Sequence, residues 1–205
     1  MTFDRERALS REEIALMTAD HPMVRNSIDL LLSGEAGNSA FGVWETPGPK
    51  SIIMEAYYLV ECVAPAALQT DHYLPAVPVR VAVDYLGNDL TADPSLMKAA
   101  LRVGKHRRFL EQPKVTSEII PGMLKVLGAI AGQRRVVIIK KSMDQMTKTM
   151  DAERARLVDL AQINPLIDGE EIGLLDGHRE ALKDAVTGAR LRLDSLRLIY
   201  KIPAP

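Results

Sequence analysis

A single cysteine, Cys62, stands among 205 residues, so no internal disulfide can form and the chain suits a reducing compartment. Cys62 lies in an apolar run with strand-like alternation, which makes it a small core residue rather than a nucleophile. Aromatic residues are also scarce at 4%, leaving little surface on which to stack single-stranded nucleic acid. The four histidines (His21, His72, His106, His178) form no i, i+4 pair and have no cysteine partners. That distribution excludes the common structural zinc arrangements. The opening residues Thr2-Phe3-Asp4-Arg5-Glu6-Arg7 are charged where a signal peptide is apolar. No uninterrupted apolar run approaches the roughly 18 residues of a membrane span, so a cytoplasmic protein without a membrane partner is expected.

Catalytic signatures are missing as well. A phosphate-binding loop needs four residues between its glycines and a lysine directly after the second. The nearest string, Gly42 to Gly48-Pro49-Lys50, has five residues between the glycines and a proline where a phosphate needs a backbone N–H. The acidic run Asp168-Gly169-Glu170-Glu171 sits where a helix begins and its acids complement the helix dipole. No Gly-x-Ser-x-Gly elbow occurs. Glu55 and Glu61 share one strand face by alternation, but a carboxylate pair without a pocket is weak support for acid–base work. No catalytic, cofactor-binding or metal-ligating residue is assigned.

What is present is an ordinary globular composition, 47% hydrophobic and 26% charged, with enough length to bury a sizeable core. The overall charge of −1 conceals a strong segregation. Residues 98–148 carry twelve basic and three acidic side chains, whereas residues 1–97 carry six and fourteen. Separation of sign on this scale fits either contact with a polyanion or two halves of one fold neutralising each other. Lys105, Arg107, Arg108, Arg134, Arg135, Lys140 and Lys141 are the candidates for nucleic-acid or partner contact. Clustered cations suffice to neutralise phosphates without implying any sequence preference.

The local patterns define an α+β chain. Ser10 with Glu13 has the spacing of a capping box. Asp20-His21-Pro22 restarts a helix, because proline is preorganised for the first helical position, and Gly34 is placed to end it. Phe41-Val43-Glu45 then alternates as a short strand ending at Thr46-Pro47-Gly48-Pro49, Ile52–Val63 reads as a central strand, and Val77–Tyr85 as a strand with one wet face. Ser95 to about Arg108 is expected to be helical, with Pro113 as a break. From Ser117 the helical pattern is interrupted by Pro121, Gly122, Gly128 and Gly132. A long helix follows from about Arg134 to Ile163, its Met143, Met146, Met150, Leu157 and Leu160 at helical spacing for a core or helix seam. Asn164-Pro165 stops it. A second helix, from an Asp168 cap to Val186 with Gly188 beyond, completes an antiparallel hairpin at about 134–187. Leu191 and Leu193, then Leu196, Leu198, Tyr200 and Ile202, form a last strand with an irregularity at Asp194-Ser195. The expected fold is an antiparallel sheet of about four to six strands with short N-terminal helices, a long antiparallel helical hairpin and a C-terminal strand returning to the sheet, in a single domain 1–205.

Several blocks in order carry a resemblance. They are Ala8-Leu9-Ser10-Arg11-Glu12-Glu13, Asp20-His21-Pro22-Met23-Val24-Arg25-Asn26 and Asp29-Leu30-Leu31-Leu32-Ser33-Gly34. They continue in Tyr73-Leu74-Pro75-Ala76-Val77-Pro78-Val79-Arg80, Gly87-Asn88-Asp89-Leu90, Asn164-Pro165 with Glu171-Ile172, and Leu191-Arg192-Leu193-Asp194-Ser195-Leu196-Arg197-Leu198-Ile199. Together they resemble the C-terminal domain of the RapA family, bacterial helicase-like Swi/Snf-type ATPases associated with RNA polymerase; the pattern lapses around Gln112–Gly132. The resemblance implies a non-catalytic accessory domain of an RNA polymerase recycling factor, with ATP and magnesium belonging to motor lobes absent from this chain. Its implied partners are those motor lobes and RNA polymerase. DNA or RNA, bound through segment 98–148, is the alternative partner.

Overall fold

The computed structural model describes residues 2–11, 13–14, 16–18, 20–33, 38–105, 109–164 and 169–204, with backbone alone for 29–33. These fall into two units, residues 1–38 and 39–205.

In the first unit, helix α1 (Arg5–Leu9) is opened by Asp4, whose carboxylate accepts from the backbone N–H groups of Glu6 and Arg7. Ser10 closes this helix instead of opening the next: its N–H donates to the Glu6 carbonyl and its hydroxyl to the Arg7 carbonyl at 3.0 Å. The capping-box expectation is therefore corrected, because a one-turn helix upstream leaves carbonyl orphans that the serine hydroxyl satisfies. Helix α2 (Pro22–Ser33) begins at its proline as expected. His21 Nδ1 accepts from Met23 N–H at 3.2 Å and the His21 carbonyl from Val24 N–H at 2.9 Å. Gly34 lies outside the described residues.

The second unit is built on a five-stranded sheet: β1 (Ser39–Glu45), β2 (Ser51–Glu61), β3 (Val77–Asp84), β4 (Leu101–Val103) and β5 (Arg190–Ile202), in the order β3-β2-β5-β1-β4. The C-terminal strand does return to the sheet, and it takes the central position. β1 and β2 are consecutive, yet β5 lies between them, parallel to β1 and antiparallel to β2. The other pairs are antiparallel, so β1·β5 is the one departure from an antiparallel sheet among the described strands.

One face of the sheet is covered by helix. Met54, Ala56, Tyr58 and Val60 of β2, Val79, Val81 and Val83 of β3, and Leu198 of β5 are buried there with Met123, Leu127 and Ala131 of helix α4 (Ile120–Ala161). Farther along α4, Met146 and Met150 are buried with Leu182 and Val186 of helix α5 (Gly169–Thr187), so the methionine stripe is a core and hairpin seam. The helices run antiparallel: Arg154 meets Asp176 at 3.1 Å and Arg179 meets Asp151 at 2.6 Å. At 42 residues α4 is about 63 Å long.

Two expectations about helices need correction. The long helix begins well before Arg134, and Pro121 with its neighbouring glycines does not interrupt it. A π-turn at Val115–Ile119 precedes Pro121, and its wider register relieves the clash that a proline ring makes with the carbonyl four residues back. The helix expected from Ser95 to Arg108 is a single turn, α3 (Pro94–Met97), opened by Asp93 and followed by β4 on β1. Tertiary pairing overrides local propensity here. Arg102 of β4 forms an ion pair with Glu45 at 2.5 Å, and Leu101 packs against the cluster containing Trp44. At Gly104 a Cβ would come within 2.5 Å of the Phe41 ring, so the chain leaves β4 through a residue with no side chain.

By length and composition the helix from Val115 to Ala161 is apolar enough in part to cross a membrane. Part of that apolarity faces the sheet through Met123, Leu127 and Ala131, while Val136 and Val137 are exposed. The N-cap expected at Asp168 lies outside the described residues. Gly188 does follow α5, its N–H donating to the Asp184 carbonyl at 2.9 Å.

Candidate functional site

The second face of the sheet carries the ionisable side chains that strand alternation predicts. Even-numbered residues of β2 point to α4, so Glu55, Tyr57 and Glu61 point away from it, as does Arg80 on β3. On β5 the same face receives Arg190, Arg192 and Arg197, although unbroken alternation would send Arg197 to the opposite side. A bulge reconciles them. Tyr58 pairs with Leu193 and Tyr57 with Ser195, which leaves Asp194 as the extra residue. The irregularity expected at Asp194-Ser195 is therefore present, and it keeps Leu191 and Leu193 on the helical side while gathering three arginines opposite.

Those arginines meet the two glutamates. Glu55 is 2% exposed, lies 2.5 Å from Arg80 Nε and is also ion-paired with Arg197. Arg80 donates a further hydrogen bond to the Thr91 carbonyl at 2.7 Å. The Thr91 hydroxyl accepts from Ala82 N–H at 3.1 Å, tying the loop after β3 to the sheet. Glu61 accepts from Arg190 at 3.0 Å and Arg192 at 3.2 Å. These bonds, Arg190 first, hold the Glu61 carboxyl below the usual carboxylate range. The Thr91 hydroxyl similarly lowers Asp89, helped by the Arg134 charge. Each of the two carboxylates is held between two guanidinium groups. Their arrangement locks β2, β3 and β5 together.

The sequence-derived contact residues scatter. Arg134 donates to the Arg80 carbonyl at 2.8 Å and approaches Asp89 at 4.0 Å, while Arg135 donates to the Ala189 carbonyl at 2.7 Å. Both fasten α4 to the sheet and to the start of β5. Lys140 and Lys141 are exposed on α4. Lys105 lines a cavity of about 440 Å³ with Lys114, Gln112 and an apolar wall containing Phe41, Phe109 and Tyr200. Arg107 and Arg108 lie outside the described residues.

Other chemistry is equally sparse among the described residues. No group of three metal-ligating side chains converges. Cys62, Asp71 and His72 share one concavity, but His72 packs edge-on against Tyr73 with centroids 5.0 Å apart. Burial, and then the Asp71 charge, push the Cys62 thiol up, the reverse of an activated nucleophile. Gly48, with φ +112°, turns β1 into β2, so the Gly42–Lys50 string is strand–turn–strand and lacks the helix a phosphate loop feeds. Glu170 and Glu171 occupy the first turn of α5.

Comparison with known proteins identifies the lineage of the chain. The profile described as "RNA polymerase recycling family C-terminal" matches residues 1–201. The chain belongs to this family. Members of the family among curated proteins include the "RNA polymerase-associated protein RapA" of Klebsiella pneumoniae (strain 342), 32% identical over 211 residues. The protein of the same name from Actinobacillus pleuropneumoniae serotype 3 (strain JL03) is 34% identical over 204 residues. Each alignment covers 97% of this chain and 21% of the relative. The chain thus spans about a fifth of the length of these relatives and corresponds to the C-terminal portion that the family description names.

Proposed function

We propose that this domain is a non-catalytic, cytoplasmic accessory domain of a Swi/Snf-type ATP-dependent factor that recycles RNA polymerase. It acts by packing on the motor lobes of the parent polypeptide or by contacting the polymerase. Family membership over residues 1–201 is the observation that carries this reading. The sheet chemistry is consistent with it, because buried Glu55 and its neighbour Glu61 are both held in ion pairs with arginines. ATP and magnesium belong to the motor. The test is co-sedimentation of the 205-residue chain with RNA polymerase and with a separately prepared motor fragment, together with an ATPase assay. Association with at least one partner and background ATP turnover are expected; association with neither, or ATP turnover by this chain, contradicts the reading.

A second reading is nucleic-acid contact through the basic segment 98–148, in which Lys105, Lys140 and Lys141 are exposed. It predicts binding that weakens steeply with salt and is reduced by charge reversal at Arg107, Arg108, Arg134 and Arg135. Salt-insensitive or absent binding at low ionic strength excludes it.

A further inference from the structure

The cavity at the start of α4 has a composition that the ion-pair framework does not explain. Its wall is mainly apolar, and three rings form a continuous surface within it: Phe41 and Phe109 have centroids 5.6 Å apart, Phe109 and Tyr200 5.3 Å. Its two charged lining residues are Lys105 and Lys114, and no acidic side chain lines it among the described residues. Arg80, Arg190, Arg192 and Arg197 are matched to carboxylates, whereas the charged residues that line this cavity, among the described residues, are both cations. Val115 and Ile119 of the π-turn also line it, and single π-turns recur beside functional sites. A second apolar cavity of about 350 Å³, with Met54, Leu110 and Leu198 in its wall, shares Phe41 with the first. A volume of 440 Å³ with few polar groups lies within the range of natural binding pockets.

We infer that this cavity receives one aromatic or large aliphatic side chain of an acidic peptide segment from a partner protein. The paired lysines supply the charge complementarity for acids flanking that anchor. The position of the cavity favours a peptide over a free small molecule. Val43, in its wall, lies on β1 opposite Arg102 of β4, and β4 is the edge strand of the sheet. An extended peptide can run along such an edge and place alternate side chains into a neighbouring pocket. Large apolar side chains seated in a pocket are the usual energetic centre of such contacts. The inference is independent of which protein supplies the peptide.

The test is a titration of the isotopically labelled 205-residue chain with an acetylated, amidated Glu-Asp-Phe-Asp-Glu peptide, followed by amide chemical shifts. Saturable shifts are expected at Lys114, Val115 and Ile119. Lys105→Glu/Lys114→Glu weakens binding at least about tenfold, equivalent to roughly 1.4 kcal/mol, and so does Phe109→Ala. Replacing the peptide phenylalanine by serine has a similar effect, whereas Lys140→Glu/Lys141→Glu changes nothing. The lysine variants keep the test valid should Phe109→Ala fail to fold. Absence of saturable shifts, shifts confined to another surface, or indifference to the lysine reversals overturns the inference. Phenylacetate binding as tightly as the peptide also overturns it, by making the cavity a small-molecule pocket.

Discussion

Substituting Glu55 by alanine is the sharpest perturbation of the framework. Glu55 is 2% exposed and sits between Arg80, whose side chain is 17% exposed, and Arg197, at 39%. Removing the carboxylate leaves two guanidinium groups facing one another across a cavity. Breaking a buried ion pair by deleting one partner costs about 3–5 kcal/mol. Arg197 can turn toward water, and Arg80 keeps its bond to the Thr91 carbonyl, so the lower end, about 3 kcal/mol, applies. With a urea dependence of about 2 kcal/mol per molar, the unfolding midpoint drops by about 1.5 M. Urea titration followed by far-ultraviolet circular dichroism measures it. In an Arg80→Met/Arg197→Met background the same substitution costs about 1 kcal/mol or less, because no cation is stranded, and the difference is the coupling energy. A drop of less than about 0.5 M in the wild-type background, or an equal cost in both backgrounds, refutes the claim that Glu55 is held by charge.

Three further outcomes follow from the same geometry. Deleting Asp194 removes the extra residue and leaves strict alternation, with Leu191, Leu193, Leu196 and Leu198 still facing α4 and the arginines still facing away. Only the exposed Arg192–Asp194 ion pair is lost, so urea-unfolding stability falls by about 1 kcal/mol or less; a loss of about 3 kcal/mol, the scale of an inverted apolar face, contradicts the register. Gly173 and Gly177 lie inside α5 with nothing within 4 Å of an added Cβ, so Gly173→Ala/Gly177→Ala raises stability by about 1–2 kcal/mol, read as a higher melting temperature; a lower one shows that something packs closely on that face. The Glu61 and Asp89 carboxyls are depressed by Arg190 and by the Thr91 hydroxyl respectively, so the unfolded chain binds their protons more readily than the folded one. Their stabilising contribution is present above the ordinary carboxylate range near pH 4 and disappears as pH falls through the folded values. Stability declines on acidification below about pH 4.5, and Glu61→Gln flattens that decline; an unchanged slope removes Glu61 from the account.

Much of the fold was legible because it rests on local periodicity. The leucines at 191 and 193, then 196 and 198, reveal the bulge directly, since the interval changes from two to three. Pro22 marks the start of α2, and the spacing of Met143, Met146 and Met150 marks the helical seam. What was hidden depends on partners distant in sequence. β4 is three residues long and exists because β1 pairs with it, so its own residues read as a continuation of α3. Pro121 looks like a break until the π-turn before it is seen. The central place of β5 between β1 and β2 has no local signature. The candidate site was legible only as composition. Charge counting selected Arg134 and Arg135 together with Lys140 and Lys141, but it cannot tell a guanidinium bonded to a backbone carbonyl from an exposed ammonium. Glu55 and Glu61 were placed on one face by alternation, whereas their arginine partners come from two other strands. The aromatic wall around Lys105 is assembled from β1, β5 and the segment before the π-turn, and no stretch of sequence contains it.

Association measured on purified components is the most direct test of the central claim. The 205-residue chain is sedimented alone, with RNA polymerase, and with a motor-lobe fragment of the parent protein, and ATP turnover is assayed in each fraction. The account predicts co-migration with at least one partner and background ATP turnover in fractions holding this chain without the motor fragment. Migration as a free domain in every mixture, or ATP hydrolysis by the chain by itself, contradicts it.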